Sequence, residues 1–312
     1  MKIDLNRKIP GPQLRNLAFV TVISIFFLIV LGGVVRVTES GLGCPDWPLC
    51  HGEIIPPYKF ETLIEYSHRV VASLVAILVF AMLVLIWVKY RCERLLLCLV
   101  LTGSILVIAQ AGLGGITVLT ELAGNLVTIH LGLAQVLLAL FTLVFFVIMY
   151  GPNFGPGVFN KHKWLLMGTM AGVFALLLSG SYTTTTGASG ACDQWPFCQS
   201  GSLLINSKLP VVHMIHRIIA VVAGVLIAAS LQLAWKTRKG DSKLYLVGVM
   251  LGFALIMQIV VGAATVLLNL PGELKILHLV IATLMWWLTV IMVLLLSFYG
   301  QNPRIIGKPD IR

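Results

Sequence analysis

The chain of 312 residues is 58% hydrophobic and only 11% charged, with a mean hydropathy of +0.97 and a net charge of +10. Soluble domains carry about 25% charged residues, so this composition excludes a water-soluble globular enzyme and predicts an all-α integral membrane protein. Lysine and arginine flanking membrane spans, beside anionic headgroups, account for the positive charge, so nucleic-acid binding need not be invoked.

Apolar stretches long enough to cross a bilayer, about 17–25 residues, fall near 16–38, 62–88, 96–119, 125–150, 163–186, 210–235, 243–268 and 273–299. The first follows a short basic segment without a small-residue cleavage site, so it reads as a retained helix and not a signal peptide. If both termini and the turns near 89–95, 151–163 and 236–243 share one side, that side collects 16 of the 22 lysines and arginines. The positive-inside rule then puts the N- and C-termini in the cytoplasm. The long loops 39–61 and 187–209 face outward. A Gly/Pro-rich linker, 151–162, separates an N-terminal half (16–150) from a C-terminal half (163–299).

Shifted by 148 residues, the chain falls on itself at its rarest positions. Cys44 meets Cys192, Trp47 meets Trp195, Pro48 meets Pro196 and Cys50 meets Cys198. His68-Arg69 meets His216-Arg217, Gln110 meets Gln258, Thr117 meets Thr265 and His130 meets His278. One offset for so many rare residues marks a tandem repeat. Since four helices return the chain to its starting side, the repeats are parallel, and the expected fold is two tandem four-helix bundles. Small residues at 111–115 and 261–264 either let helices approach closely or leave room for a flat ligand.

His68, His130, His216 and His278 all fall near the outer ends of the second, fourth, sixth and eighth spans. Ionisable groups at membrane depth are functional candidates because their burial is costly without a partner. Zinc wants three or four N, S or O ligands, and copper favours nearby Met or Cys. Two imidazoles from different helices instead suit the axial positions of a haem iron, with an apolar bundle walling the macrocycle. Arg69 and Arg217 are candidates for pairing with propionates, or they snorkel to the interface. His51 and His162 read as solvated.

The repeat fails at one informative place: Glu65 lies opposite His213. A carboxylate in one half and an imidazole in the other suggest that one half does chemistry and the other holds a cofactor. Glu65 is the candidate base, or the group that stabilises developing positive charge; otherwise it is an acid favoured by the helix dipole. The pairs Cys44/Cys50 and Cys192/Cys198 sit on the outer side, where disulfides persist. Each can staple its loop or act as a redox pair, whereas Cys92 and Cys98 do not repeat.

Taken together, the Cys-x5-Cys loops with Trp-Pro, the run Glu65-Tyr66-Ser67-His68-Arg69, and His130, His216 and His278 resemble haem A synthases of the Bacillus type, over about 16–299. That resemblance implies oxidation of the C8 methyl of haem O to a formyl group. It implies His68 and His130 as ligands of the substrate haem, His216 and His278 as ligands of a haem b cofactor, and Glu65 as the essential acid. It also implies a functional Cys44–Cys50 disulfide, a bacterial cell-membrane location, an electron acceptor of unknown identity and a prenyl-transferring haem O synthase as neighbour. Two competing readings use the same residues: a bis-histidine cytochrome b carrying electrons from quinone to an outer partner, and a membrane thiol oxidoreductase centred on the cysteine pairs.

Overall fold

A computed structural model describes residues 10–151, 158–198, 208–237 and 241–298. The linker residues 152–157 lie outside this set, as do the basic residues Lys2, Arg7, Lys8, Arg238, Lys239, Arg304, Lys308 and Arg312 used for orientation. Among the described residues, eight helices are long and apolar enough to cross a membrane. They are α1 (Pro12–Val37), α2 (Phe60–Tyr90), α3 (Arg94–Leu119), α4 (Gly124–Tyr150), α5 (Val158–Thr185), α6 (Lys208–Thr237), α7 (Ser242–Leu267) and α8 (Gly272–Ser297). Each predicted span finds its helix, extended mostly by a turn or less. Proline at the first turn of α1 starts that helix without losing a bond. Asp241 caps α7 by accepting from the backbone N–H groups of Lys243 and Leu244, both at 3.1 Å. Helix α5 is broken at His162, whose φ of −120° and ψ of 20° leave the helical region.

Burial sorts the helices into two environments. More than half of the most apolar window is buried in α4 and α8, at 56% each, against 22% in α2, α3 and α6. Helices α1, α4, α5 and α8 pack on one another across the centre, joining the two halves. Phe27, Trp87, Val225 and Phe253 are exposed large apolar side chains on α1, α2, α6 and α7. In water such faces would be a liability; they suit lipid, and the fold is that of a multi-pass membrane protein.

Contacts across the centre relate the halves. Gln135 on α4 donates its amide to Thr283 on α8 at 3.1 Å, and these positions are 148 residues apart. A residue that touches its own repeat equivalent lies on the axis relating the two copies. Trp286 donates to the Gln135 carbonyl at 3.0 Å and Trp287 to the Thr142 hydroxyl at 3.0 Å, while Oε1 of Gln135 has no partner among the described residues. At the loop-bearing end, Gly124 starts α4 against Thr185 of α5, and Gly272 starts α8 against Val37 of α1. Both pairs again obey the 148-residue shift.

Candidate functional site

Four imidazoles stand one turn or two inside the loop-bearing end, on α2, α4, α6 and α8. Each lies against a glycine of the preceding helix. A Cβ built on Gly32 would stand 3.2 Å from Cε1 of His68, on Gly114 3.2 Å from that of His130, on Gly180 3.1 Å from that of His216, and on Gly262 2.9 Å from that of His278. A side chain at these glycines would crowd the rings, most of all at Gly262, where something would have to shift. The four rings are half-buried.

The surroundings of the two pairs differ. Nδ1 of His216 lies 2.9 Å from the Ser179 hydroxyl, whereas the buried Nδ1 atoms of His68, His130 and His278 have no hydrogen-bond partner among the described residues. The Gln258 amide nitrogen lies 3.1 Å from Nε2 of His278. Its counterpart Gln110 donates instead to the backbone carbonyl of His130 at 3.0 Å. Among the described residues no group of three or more His, Cys, Asp or Glu is arranged to hold a metal ion.

Beside His68, Glu65 is buried and pairs with Arg69, Nε to Oε1 at 3.0 Å. The rest of the Arg69 guanidinium reaches into the outer loop: Nη1 donates to the carbonyls of Asp46 and Leu49, both at 2.7 Å, and Nη2 to that of Cys44 at 3.0 Å. Three guanidinium N–H groups thus tie the loop to α2 and a fourth holds Glu65, so four of the five are used. His213 takes the place of Glu65 in the other half and is equally buried, both residues being 6% exposed. Its Nδ1 donates to the Ala188 carbonyl at 3.1 Å, and its Nε2 faces Arg217 Nη2 at 3.4 Å. Arg217 Nη1 then holds the Pro196 carbonyl at 2.8 Å. Both acceptors serve the same arginine tie, but only Glu65 brings a carboxylate.

Each loop is closed by the expected cysteines: Cys44–Cys50 with an S–S distance of 1.99 Å and Cys192–Cys198 with 2.06 Å. Cys92 and Cys98 are free and exposed. Within the first loop Asp46 receives the backbone N–H of His51 at 2.6 Å and of Gly52 at 2.7 Å. The Gly52 bond, followed by the His51 bond, holds the Asp46 carboxyl below its ordinary range. His51 is exposed but uses Nε2 on the Gly43 carbonyl at 3.0 Å. Trp47 lies against Gly115 of α3, so the loop closes over the N-terminal half.

Because Cys44 and Cys50 are 0% and 1% exposed, the disulfide is protected by this tie. Arg69→Ala strands the buried Glu65 and frees three carbonyls. Breaking a buried pair in this way costs about 3–5 kcal/mol. The expected result is a lower unfolding temperature and faster reduction of Cys44–Cys50 by dithiothreitol, followed by mass spectrometry of alkylated thiols. Arg69→Lys should recover only part of the loss, since an ammonium cannot fork to Glu65 and three carbonyls together.

Gly32, Gly180, Ser179 and Asp46 were not singled out from the sequence, whereas Gly114 and Gly262 fall in the small-residue segments 111–115 and 261–264. The signal for the seats was present: the 148-residue shift puts Gly32 on Gly180 and Gly114 on Gly262. Ser179 falls on Leu31, a mismatch beside a matched glycine.

Comparison with known proteins bears on this arrangement. The family model described as "Cytochrome oxidase assembly protein", COX15-CtaA, matches residues 15–59 and 57–290. A protein named "Heme A synthase" from Exiguobacterium sp. is 31% identical over 254 residues, covering 80% of this chain and 81% of its own. Others of the same name come from Lysinibacillus sphaericus, 28% identical over 89% of this chain and 94% of its own, and Bacillus licheniformis, 26% identical over 93% and 98%. With the family model covering most of its length, the chain belongs to the COX15-CtaA family of cytochrome oxidase assembly proteins.

Proposed function

We propose that the chain is a haem A synthase, an oxidoreductase that converts the C8 methyl of haem O to a formyl group. The observation that carries this reading is the pair of matched two-histidine seats, one beside Glu65 and the other beside His213, in a chain whose relatives bear that name. His68 and His130 hold the substrate haem in the N-terminal half, 16–150. His216 and His278 hold haem b in the C-terminal half, 163–299.

The C-terminal residues fit such a group. An amide nitrogen can only donate, so Nε2 of His278 is unprotonated and accepts from Gln258 with the lone pair that would turn to iron when haem binds. Glycines at 180 and 262 seat both rings against their neighbouring helices. Haem b, when bound, supplies one-electron redox chemistry. The first outer loop, with Arg69 beneath it, closes over the N-terminal site, and the remaining guanidinium N–H of Arg69 is available for a propionate.

In the N-terminal half, Glu65 accepts the proton and stabilises positive charge developing at the methyl carbon as electrons leave the substrate. Each hydroxylation consumes one water and releases two protons and two electrons. The second gives a geminal diol, which loses water to leave the aldehyde. The electrons pass to an acceptor outside this chain. Haem O arrives from a haem O synthase in the same bacterial cell membrane, and both termini of the chain face the cytoplasm. A plain bis-histidine cytochrome b is not favoured: it gives no role to the exchange of Glu65 for His213, and the family is one of assembly proteins.

The test is to purify the protein from cells that also make haem O, extract the haems and identify them by chromatography and mass. Haem A or its hydroxylated precursor beside haem b is expected. Haem b alone, from protein able to reduce an acceptor, overturns the reading. Growth in labelled water should put label into the alcohol intermediate; label arriving only from dioxygen would sink the water-based route.

A further inference from the structure

The two seats differ in what stands behind the imidazole. Ser179 Oγ is 2.9 Å from the Leu176 carbonyl and 2.9 Å from Nδ1 of His216. A carbonyl can only accept, so the single hydroxyl proton goes to Leu176, and the contact with the ring is an Nδ1–H donated to Oγ. That donation fixes the tautomer: Nε2 of His216 is left with its lone pair. His216 is therefore set in the metal-binding tautomer before any metal arrives. His278 is held differently: the Gln258 amide donates to its Nε2, and its Nδ1 has no partner among the described residues.

Neither ring of the N-terminal pair is set in this way. The position equivalent to Ser179 is Leu31, which has no group to accept a proton, and the buried Nδ1 of His68 has no hydrogen-bond partner among the described residues. Gln110 is bonded to the His130 backbone, and Nδ1 of His130 is also unpartnered. A ligating imidazole ordinarily donates its second N–H to a partner, which orients the ring and raises its basicity; losing that partner weakens metal binding by roughly 10–100-fold.

We infer that Ser179 is a positioning residue that makes the C-terminal site keep its haem, and that leucine at position 31 makes the N-terminal site one from which haem leaves. This deepens the proposed function, on which it rests. A cofactor must stay through many turnovers, whereas a substrate haem must be released once oxidised. Two seats alike in their glycines and histidines gain opposite residence times from one hydroxyl.

The experiment uses the full-length holoprotein in detergent, with excess apomyoglobin as haem acceptor and the absorbance change as readout. Ser179→Ala should speed loss of the C-terminal haem by roughly 10–100-fold. It should also raise that haem's midpoint potential, because a less basic imidazole favours the ferric state less. Ser179→Thr, which keeps the hydroxyl, should restore both. Leu31→Ser should act in the opposite sense on the other half, slowing transfer of haem O and lowering kcat and KM for its oxidation together. A monodisperse gel-filtration peak separates these effects from misfolding. Unchanged haem loss and potential in Ser179→Ala, with haem lost from His216→Ala, overturn the inference alone. Full haem retention in both His216→Ala and His278→Ala overturns the underlying reading as well.

Discussion

Replacing Glu65 by glutamine is expected to slow haem O oxidation by roughly 10²–10⁴-fold, the usual contribution of a positioned acid or base, while haem b content stays at the wild-type level. Glutamine keeps the size of the side chain and an oxygen able to accept from Arg69 Nε, now 3.0 Å from the carboxylate. The loop tie made by the same guanidinium to Cys44, Asp46 and Leu49 is therefore retained. What glutamine removes is the negative charge and the capacity to take a proton. Glu65→His is the stricter version, since it installs the arrangement that His213 already forms with Arg217 in the other half. It should fold and bind haem b, yet leave haem O unoxidised. Initial rates of haem A formation, with reduced-minus-oxidised spectra for haem content, decide the matter. A rate within tenfold of wild type for both variants would remove Glu65 from the chemistry.

The helices were legible because a span is a composition signal, and burial inside a bilayer leaves little else for such stretches to be. The histidines and the cysteine loops were legible because rare residues at one offset stand out. Arg69 was harder to read. Its partners are the carbonyls of Cys44, Asp46 and Leu49, and a backbone carbonyl leaves no trace in residue identity. The glycines at 114 and 262 were visible as part of small-residue segments, but close packing and room for a ligand predict the same residues. Only coordinates show that the imidazole of the next helix fills the space. Ser179 was hidden for a different reason: serine on an apolar helix ordinarily bonds its own backbone, as Ser179 does with Leu176, and its second bond depends on a helix 37 residues away.

The same seats yield the second large effect, and here the magnitudes differ by site. Gly262→Ala places a methyl 2.9 Å from Cε1 of His278, below any ordinary contact, with Nδ1 at 3.5 Å and Nε2 at 3.9 Å. The ring must tilt or α7 and α8 must part. Overpacking a close-packed interior costs about 1–3 kcal/mol, which at 1.4 kcal/mol per decade is roughly 5–150-fold in affinity for the ligand that the ring holds. Gly180→Ala meets His216 at 3.1 Å, and Gly32→Ala and Gly114→Ala meet their histidines at 3.2 Å, so smaller effects are expected there. The C-terminal substitutions should lower bound haem b, read as haem per polypeptide, in the order Gly262→Ala before Gly180→Ala. The N-terminal substitutions should leave haem b in place and raise KM for haem O, because their histidines hold the substrate and not the cofactor. Alanine at 262 with full haem b and an unchanged low-spin spectrum would show that the helix yields instead of the ring. A fall in haem b from Gly32→Ala equal to that from Gly180→Ala would break the division of labour between the halves.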